Sequence, residues 1–140
     1  MRKKAVPTDL WERALKALRA ARRDLREDPD GSASRSFYAA TYAVEAFFLN
    51  EGRMLDSHGA VWDAVNQGLV RPGRWPGEFS DRFRLLKKRR DVGDYGGGAH
   101  VTPEGAAQAY DAALAFLRAV HAEYPDAFPL ELEPRDGEES

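Results

Sequence analysis

Residues 32–50 read SASRSFYAATYAVEAFFLN, and the apolar or aromatic side chains among them do not keep to one stripe. Placed on a helix of 3.6 residues per turn, Phe37, Tyr38, Thr41, Tyr42, Val44, Phe47, Phe48 and Leu49 cover most of the circumference. A helix apolar on most sides must be enclosed by other elements. The stretch therefore predicts a central helix, capped at Ser32 or Ser34 and ending near Asn50.

The flanking chain supplies the enclosing helices. Before it, Leu10, Ala14, Ala17, Leu18, Ala21 and Leu25 recur every three or four residues. They predict a helix from Thr8 or Asp9 to Glu27, with Asp9 and Glu12 at capping-box spacing and a stop at Asp28-Pro29-Asp30-Gly31. After it, residues 57–67 fit a short helix carrying Val61, Trp62 and Val65. Residues 78–94 fit a longer one, with Phe79, Phe83 and Leu86 along one face and Gly96-Gly97-Gly98 beyond its end. Thr102 as cap and Pro103 at the first helical position open a last helix to about Tyr124. No segment alternates apolar and polar residues as a half-buried strand does. The expected fold is all-α: an up-and-down antiparallel four-helix bundle with an additional short helix.

With 140 residues, the chain suits one domain. The organisation expected is a basic tail over 1–7, a helical body over 8–126 and an acidic, disordered tail over 127–140, where residues 131–140 hold five acids against Arg135. There is no cysteine, which excludes disulfide scaffolds, thiolate metal sites and cysteine nucleophiles. Histidines and carboxylates show no metal-ligand spacing, and no cofactor is called for. Apolar runs stay short, as in Ala46-Phe47-Phe48-Leu49, and Met1-Arg2-Lys3-Lys4 lacks a following apolar region, so the expectation is a cytoplasmic protein with no membrane segment. Net charge is −2, yet six of the nine residues from 82 to 90 are basic and none is acidic. Such a run suits RNA phosphates or is simply a solvated helix face.

One position breaks the apolar line of the fourth helix. Four residues beyond Leu86 stands Arg90, on the face that otherwise turns inward. Asp94 follows at ion-pair spacing, Gly93 permits close backbone approach, and Tyr95 comes next. Either Arg90 and Asp94 form a helical ion pair, or Arg90 offers its planar donor fork to a phosphate with Asp94 orienting it and Tyr95 adding a hydroxyl.

Three segments resemble the HEPN superfamily, in particular its short stand-alone bacterial and archaeal branch. Ser34-Arg35-Ser36-Phe37-Tyr38-Ala39-Ala40-Thr41-Tyr42-Ala43 is similar to the family's second helix: small residue, Arg, small residue, two aromatics, Ala, then a further aromatic. Arg90-Asp91-Val92-Gly93-Asp94-Tyr95 resembles the branch's Arg, two residues, small residue, Asp, Tyr, and Ser57-His58-Gly59 resembles a His, Ser and Gly cluster found there. The resemblance covers residues 8–124. It implies a helical bundle, commonly a homodimer, and in many members a metal-independent endoribonuclease built from an Arg and a His four to six residues apart. A nucleotidyltransferase-type antitoxin partner is a further implication.

In the mechanism so implied, the arginine stabilises the phosphorane while the histidine moves a ribose 2′-hydroxyl proton. Here Tyr95 fills the histidine position, and His100 lies ten residues from Arg90. A tyrosine, with an ordinary pKa of about 10, is a poor general base at pH 7 but can donate a hydrogen bond or a proton. The candidate catalytic group is thus Arg90, Asp94 and Tyr95, and the candidate ligand-binding group is Arg35, Tyr42, His58 and Arg89. Arg35 either joins Arg90 at a shared cleft or covers apolar surface with its stem. His58 and His100 are loop histidines that either carry protons or are solvated, while His121 is expected on the surface and Trp62 and Trp75 in packing. Three readings remain: a toxin-like ribonuclease or its degenerate relative, a non-catalytic module that binds a nucleotide or a protein, and a purely structural helical adaptor in which Arg90 is only an ion-pair member.

Overall fold

The 32–50 stretch is enclosed on nearly every side in a computed structural model that describes residues 6–131. Five α-helices occur among them, and no strand: α1 (Pro7–Arg23), α2 (Pro29–Asn50), α3 (His58–Asp63), α4 (Glu78–Tyr95) and α5 (Pro103–Glu123). A π-helical segment, Ala64–Val70, continues α3. Its wider turns shift the register so that Ala64, Val65 and Leu69 remain buried while Trp62 is only half-buried.

Contacts between the ends fix the directions. The start of α2 meets the end of α4 at Asp30 and Gly93, whereas the ends of α2 and α5 meet at Glu51 and Tyr124. The long helices therefore alternate in direction, with α2 and α5 parallel, and α2 packs on α1, α5 and α4 alike. Small side chains permit this: Ala33, Ala39, Ala40, Ala43 and Ala46 of α2 and Ala106, Ala109, Ala112 and Ala113 of α5 are all buried. Phe47, Phe83, Phe116 and Leu117 fill the remaining space.

Several boundaries differ from the sequence expectation. α2 starts at Pro29, not after Ser32 or Ser34, because Asp28 is its cap: the carboxylate accepts from Gly31 N at 3.0 Å and Pro29 takes the first turn. Asp-Pro is thus a helix start as well as a stop. Ser32 is instead buried, its hydroxyl donating to Ala21 O at 2.6 Å and joining α2 to α1. α1 begins at Pro7 behind Val6 with no side-chain cap, so Asp9 and Glu12 form no capping box. The cap expected at Thr102 is present, accepting from Gly105 N at 3.0 Å, and Ser57, expected as the first residue of the short helix, is instead its cap, accepting from Ala60 N at 3.0 Å.

The packed chain also runs past residue 126. Phe128 is fully buried against Trp11, whose indole donates to Pro129 O at 2.8 Å. His121, expected on the surface, is half-buried with Nδ1 2.7 Å from Phe128 O. Nearby, Arg74 binds Glu51 in a fork (3.0 and 2.5 Å) and reaches Glu123 at 3.3 Å, while the Trp75 indole donates to Glu123 at 3.1 Å. This clasp holds Glu51 below the usual carboxylate range, Arg74 being the main cause, and ties the 71–77 loop to the ends of α2 and α5. The basic segment 1–5 and the acidic segment 132–140 lie outside the described residues.

Phe128→Ala should lower unfolding stability by about 3–5 kcal/mol, the usual cost of removing a buried phenylalanine. Urea denaturation followed by circular dichroism measures this. A change near zero would mean that 127–131 is not part of the folded body.

Candidate functional site

Arg90 lies in the penultimate turn of α4, and only 11% of its side chain is exposed. Its guanidinium stacks on Phe37 of α2, 4.7 Å from the ring centroid, and lies 5.7 Å from the Tyr95 ring. Aromatic faces are electron-rich, so they hold a cation without consuming its hydrogen-bond donors. The ion-pair contact is with Asp91, Oδ1 to Nε 3.2 Å, at a geometry that leaves Nε buried without a hydrogen bond.

The expected pairing with Asp94 is not made. Asp94 is exposed and accepts instead from the Ser34 hydroxyl at 3.3 Å. The cause is the crossing of α4 over α2. A Cβ on Gly93 would stand 2.7 Å from Asp30 O, so the backbones nearly touch and Asp94 faces Ser34. Tyr95 is 73% exposed, and the Arg90 guanidinium lies over its ring.

His58 opens α3 on the other side of the same aromatic pair. Its ring lies 5.3 Å from Phe37 and 5.7 Å from Tyr38, and it is exposed. Tyr42, half-buried, continues the row at 6.4 Å from Tyr38. Phe37 therefore links Arg90 to His58, and Arg90 in turn meets Tyr95. Between α2, α3 and α4 a cleft of about 420 Å³ has Phe37, Trp62 and Phe83 as floor and His58, Arg84 and Lys87 at its rim.

Two of the candidate residues lie elsewhere. Arg35 is turned toward the α1–α2 turn, where it pairs with Asp24 at 2.9 Å and Asp28 at 3.8 Å; it holds the chain reversal and does not join Arg90. Arg89 faces α5, donating to Gln108 at 2.8 Å beside a separate cavity of about 210 Å³. His100 borders that cavity too. Asp30 accepts from Val101 N and contacts His100 Nδ1, both at 2.7 Å, and these bonds, the backbone one first, hold its carboxyl below the ordinary range. Among the described residues no cluster of three or more histidines and carboxylates is placed to hold a metal.

The 82–90 run is accordingly not one patch. Arg82 lies over Phe79, Arg84 over Trp62, Arg90 over Phe37 and Arg89 against α5. Sequence reasoning missed Phe37 as the platform, Asp91 as the ion partner, and Trp62, Arg84 and Lys87 as cleft residues. A helical signal for part of this existed: stepping back from Arg90 by three, then by three or four more, gives Lys87, Arg84 and Phe83.

A HEPN domain family model matches residues 8–124. Two relatives are similar to this chain. A UPF0332 protein of Gloeobacter violaceus is 35% identical over 101 residues, covering 70% of this chain and 79% of its own. Another UPF0332 protein, from Thermotoga maritima, is 31% identical over 98 residues, or 69% and 74% of the two chains. No helix of the described residues is long and apolar enough to cross a membrane.

Two measurements probe this geometry. Gly93→Ala should cost about 1–3 kcal/mol in urea denaturation, since backbone has to move to admit the methyl group; an unchanged midpoint would refute the close crossing. Asp30 has a lowered folded pKa, so its contribution is complete above the ordinary 3.8 and is lost as pH falls through the folded value. The stability deficit of Asp30→Asn relative to the parent should therefore be largest near neutrality and shrink in acid below about pH 4. A deficit independent of pH would show that the carboxylate's charge is not what holds the 96–101 loop.

Proposed function

The chain belongs to the HEPN family, and from that premise we propose that Arg90 and the cleft beside it engage an RNA phosphodiester for metal-independent cleavage. The observation that carries this reading is Arg90 itself: a mostly buried guanidinium stacked between two rings, with Asp91 as its acidic contact. Stacking fixes the plane of the fork, and a pre-oriented fork suits the paired oxygens of a phosphate.

In the cleavage step, Arg90 would stabilise the negative charge that grows on the phosphoryl oxygens. The ribose 2′-oxygen attacks phosphorus and the bond to the 5′-oxygen breaks, leaving a cyclic phosphate and a 5′-hydroxyl. His58 is the histidine that shares Phe37 with Arg90, which makes it the candidate for taking the 2′-hydroxyl proton. Tyr95, adjoining Arg90 and exposed, can donate to a phosphate oxygen or to the leaving group. A homodimer and a nucleotidyltransferase-type antitoxin that restrains the activity complete the proposal, on the ground of family resemblance.

A second reading keeps the anion site but omits the chemistry. The residue at the usual histidine position is Tyr95, turned largely to solvent, which favours a non-catalytic module that holds RNA or a nucleotide.

Incubating the purified protein with mixed RNA in chelator separates the two. Cleavage is the expected result, and Arg90→Ala should reduce it at least about 100-fold. Loss of the cation–ring contact should cost the fold only about 1 kcal/mol, so the variant keeps its helical circular dichroism. Undiminished cleavage by Arg90→Ala would refute the assignment. Binding without cleavage in the parent would establish the second reading, and His58→Gln should behave as Arg90→Ala only if His58 carries the proton.

A further inference from the structure

We infer that the cavity between the end of α4 and the start of α5 is a subsite for a phosphate group, separate from Arg90 and its cleft. The inference does not depend on the reading of Arg90, because the two neighbouring arginines diverge: Arg90 is turned to α2 and Arg89 to α5.

Arg89 lacks a counter-charge. It is half-buried, forms no ion pair among the described residues, and gives its one hydrogen bond to a neutral amide, Gln108 Oε1, at 2.8 Å. Its Nε is buried with no hydrogen-bond partner. A guanidinium withdrawn from water ordinarily stands beside a carboxylate, since an uncompensated buried charge is costly. Arg35, Arg74, Arg82, Arg84 and Arg90 each contact such an acid. At Arg89 an anion from outside supplies what the fold leaves out.

The side chains near Arg89 converge on the same space as donors. His100 meets Asp30 Oδ2 through Nδ1 at 2.7 Å, and a carboxylate only accepts, so Nδ1 carries a proton. The ring is thereby fixed, while Nε2 has no hydrogen-bond partner among the described residues and 71% of the side chain is exposed. With Asp30 on one side and a phosphate on the other, the ring takes a second proton and Nε2 donates. Gln108 accepts from Arg89 with its oxygen and keeps its amide protons, and Thr102 accepts from Gly105 N and keeps its hydroxyl proton. All four line a cavity of about 210 Å³, below the roughly 300–1,000 Å³ of sites for drug-sized ligands. It therefore takes a small group. Donors from several sides suit a tetrahedral phosphate, whose oxygens point apart, better than a flat carboxylate. Gly105 keeps the space open: a Cβ there would stand 3.3 Å from Thr102 Oγ1 and 3.5 Å from Arg89 Nε. Glu104 is the one carboxylate among the lining residues; it is exposed, and its charge opposes an anion.

The test is titration of the full chain with inorganic phosphate near neutral pH and constant ionic strength, followed by the imidazole proton resonances of its three histidines. His100→Gln assigns the His100 signal. That signal should shift and saturate with a Kd of about 1 mM, those of His58 and His121 should stay, and acetate should move none of them. Arg89→Gln should weaken binding at least about tenfold, and Glu104→Gln, at an exposed position that does not endanger the fold, should strengthen it about threefold. A still His100 signal, an equal response to acetate, or affinity unaltered by Arg89→Gln overturns the subsite. Should Arg89→Gln lose its helical circular dichroism, Glu104→Gln decides, and affinity unaltered there is equally fatal.

Arg90→Ala separates this subsite from the preceding assignment, since the His100 response should survive it. A shift of His58 in place of His100, abolished by Arg90→Ala, would put the phosphate in the other cleft, which overturns this inference and supports the earlier one. Two further ligands identify the source of the group: adenosine monophosphate and a 5′-phosphorylated 2′-O-methyl dinucleotide, each beside its 5′-hydroxyl form. Tighter binding of the phosphorylated dinucleotide assigns the subsite to strand ends, and equal binding of the two assigns it to free nucleotides. Binding of the hydroxyl forms as tight as that of the phosphorylated ones overturns it.

Discussion

The tight seating of α2 among α1, α4 and α5 is the constraint on which the rest depends. A helix enclosed this fully can approach its neighbours only where side chains are small, which is the role of its five buried alanines. Where the residues are large they must stack, as Phe37 does with Tyr38, His58 and Phe83. Two buried hydroxyls of this helix find partners inside the bundle: Ser32 donates to Ala21 O of α1 and Thr41 donates to Phe37 O. Arg90 is tolerated beside this core because an aromatic face accepts its charge. The same packing that stabilises the bundle therefore orients the cation.

The helices themselves were legible in the sequence because apolar periodicity and caps are local signals. The all-round apolar character of residues 32–50 correctly placed α2 at the centre, and Thr102-Pro103 marked the start of α5. The boundaries were read less well where one residue type serves two purposes. Asp28-Pro29 looks like a terminator and is also a cap with a first helical residue, so α2 starts earlier than its serines suggest. The π segment carries no compositional mark, and the burial of Phe128 depends on Trp11, more than a hundred positions away.

The site was legible only in part, and for a physical reason. Arg90 stood out because it broke an apolar row, and its neighbours Asp94 and Tyr95 were placed near it by spacing. Which carboxylate it would meet depends on how α4 crosses α2 at Gly93, a tertiary fact, and that crossing gives Asp94 to Ser34 and leaves Asp91 to Arg90. Arg35 illustrates the same limit. It lies two positions from Phe37, yet helical rotation carries it to another side, where two aspartates hold it. The platform residue Phe37 escaped notice because a phenylalanine on a core helix has no sequence feature that separates packing from cation recognition.

The pairing of Trp11 with Phe128 brings the two limits of the folded body together at one pole of the bundle. Arg90 stands near the other, where α4 ends against the start of α2. The limits of the described chain, residues 6 and 131, accordingly both stand at the pole away from Arg90. A tether, a tag or an appended globule could be carried there without shading the groove, much as a handle sits at the opposite end from a blade.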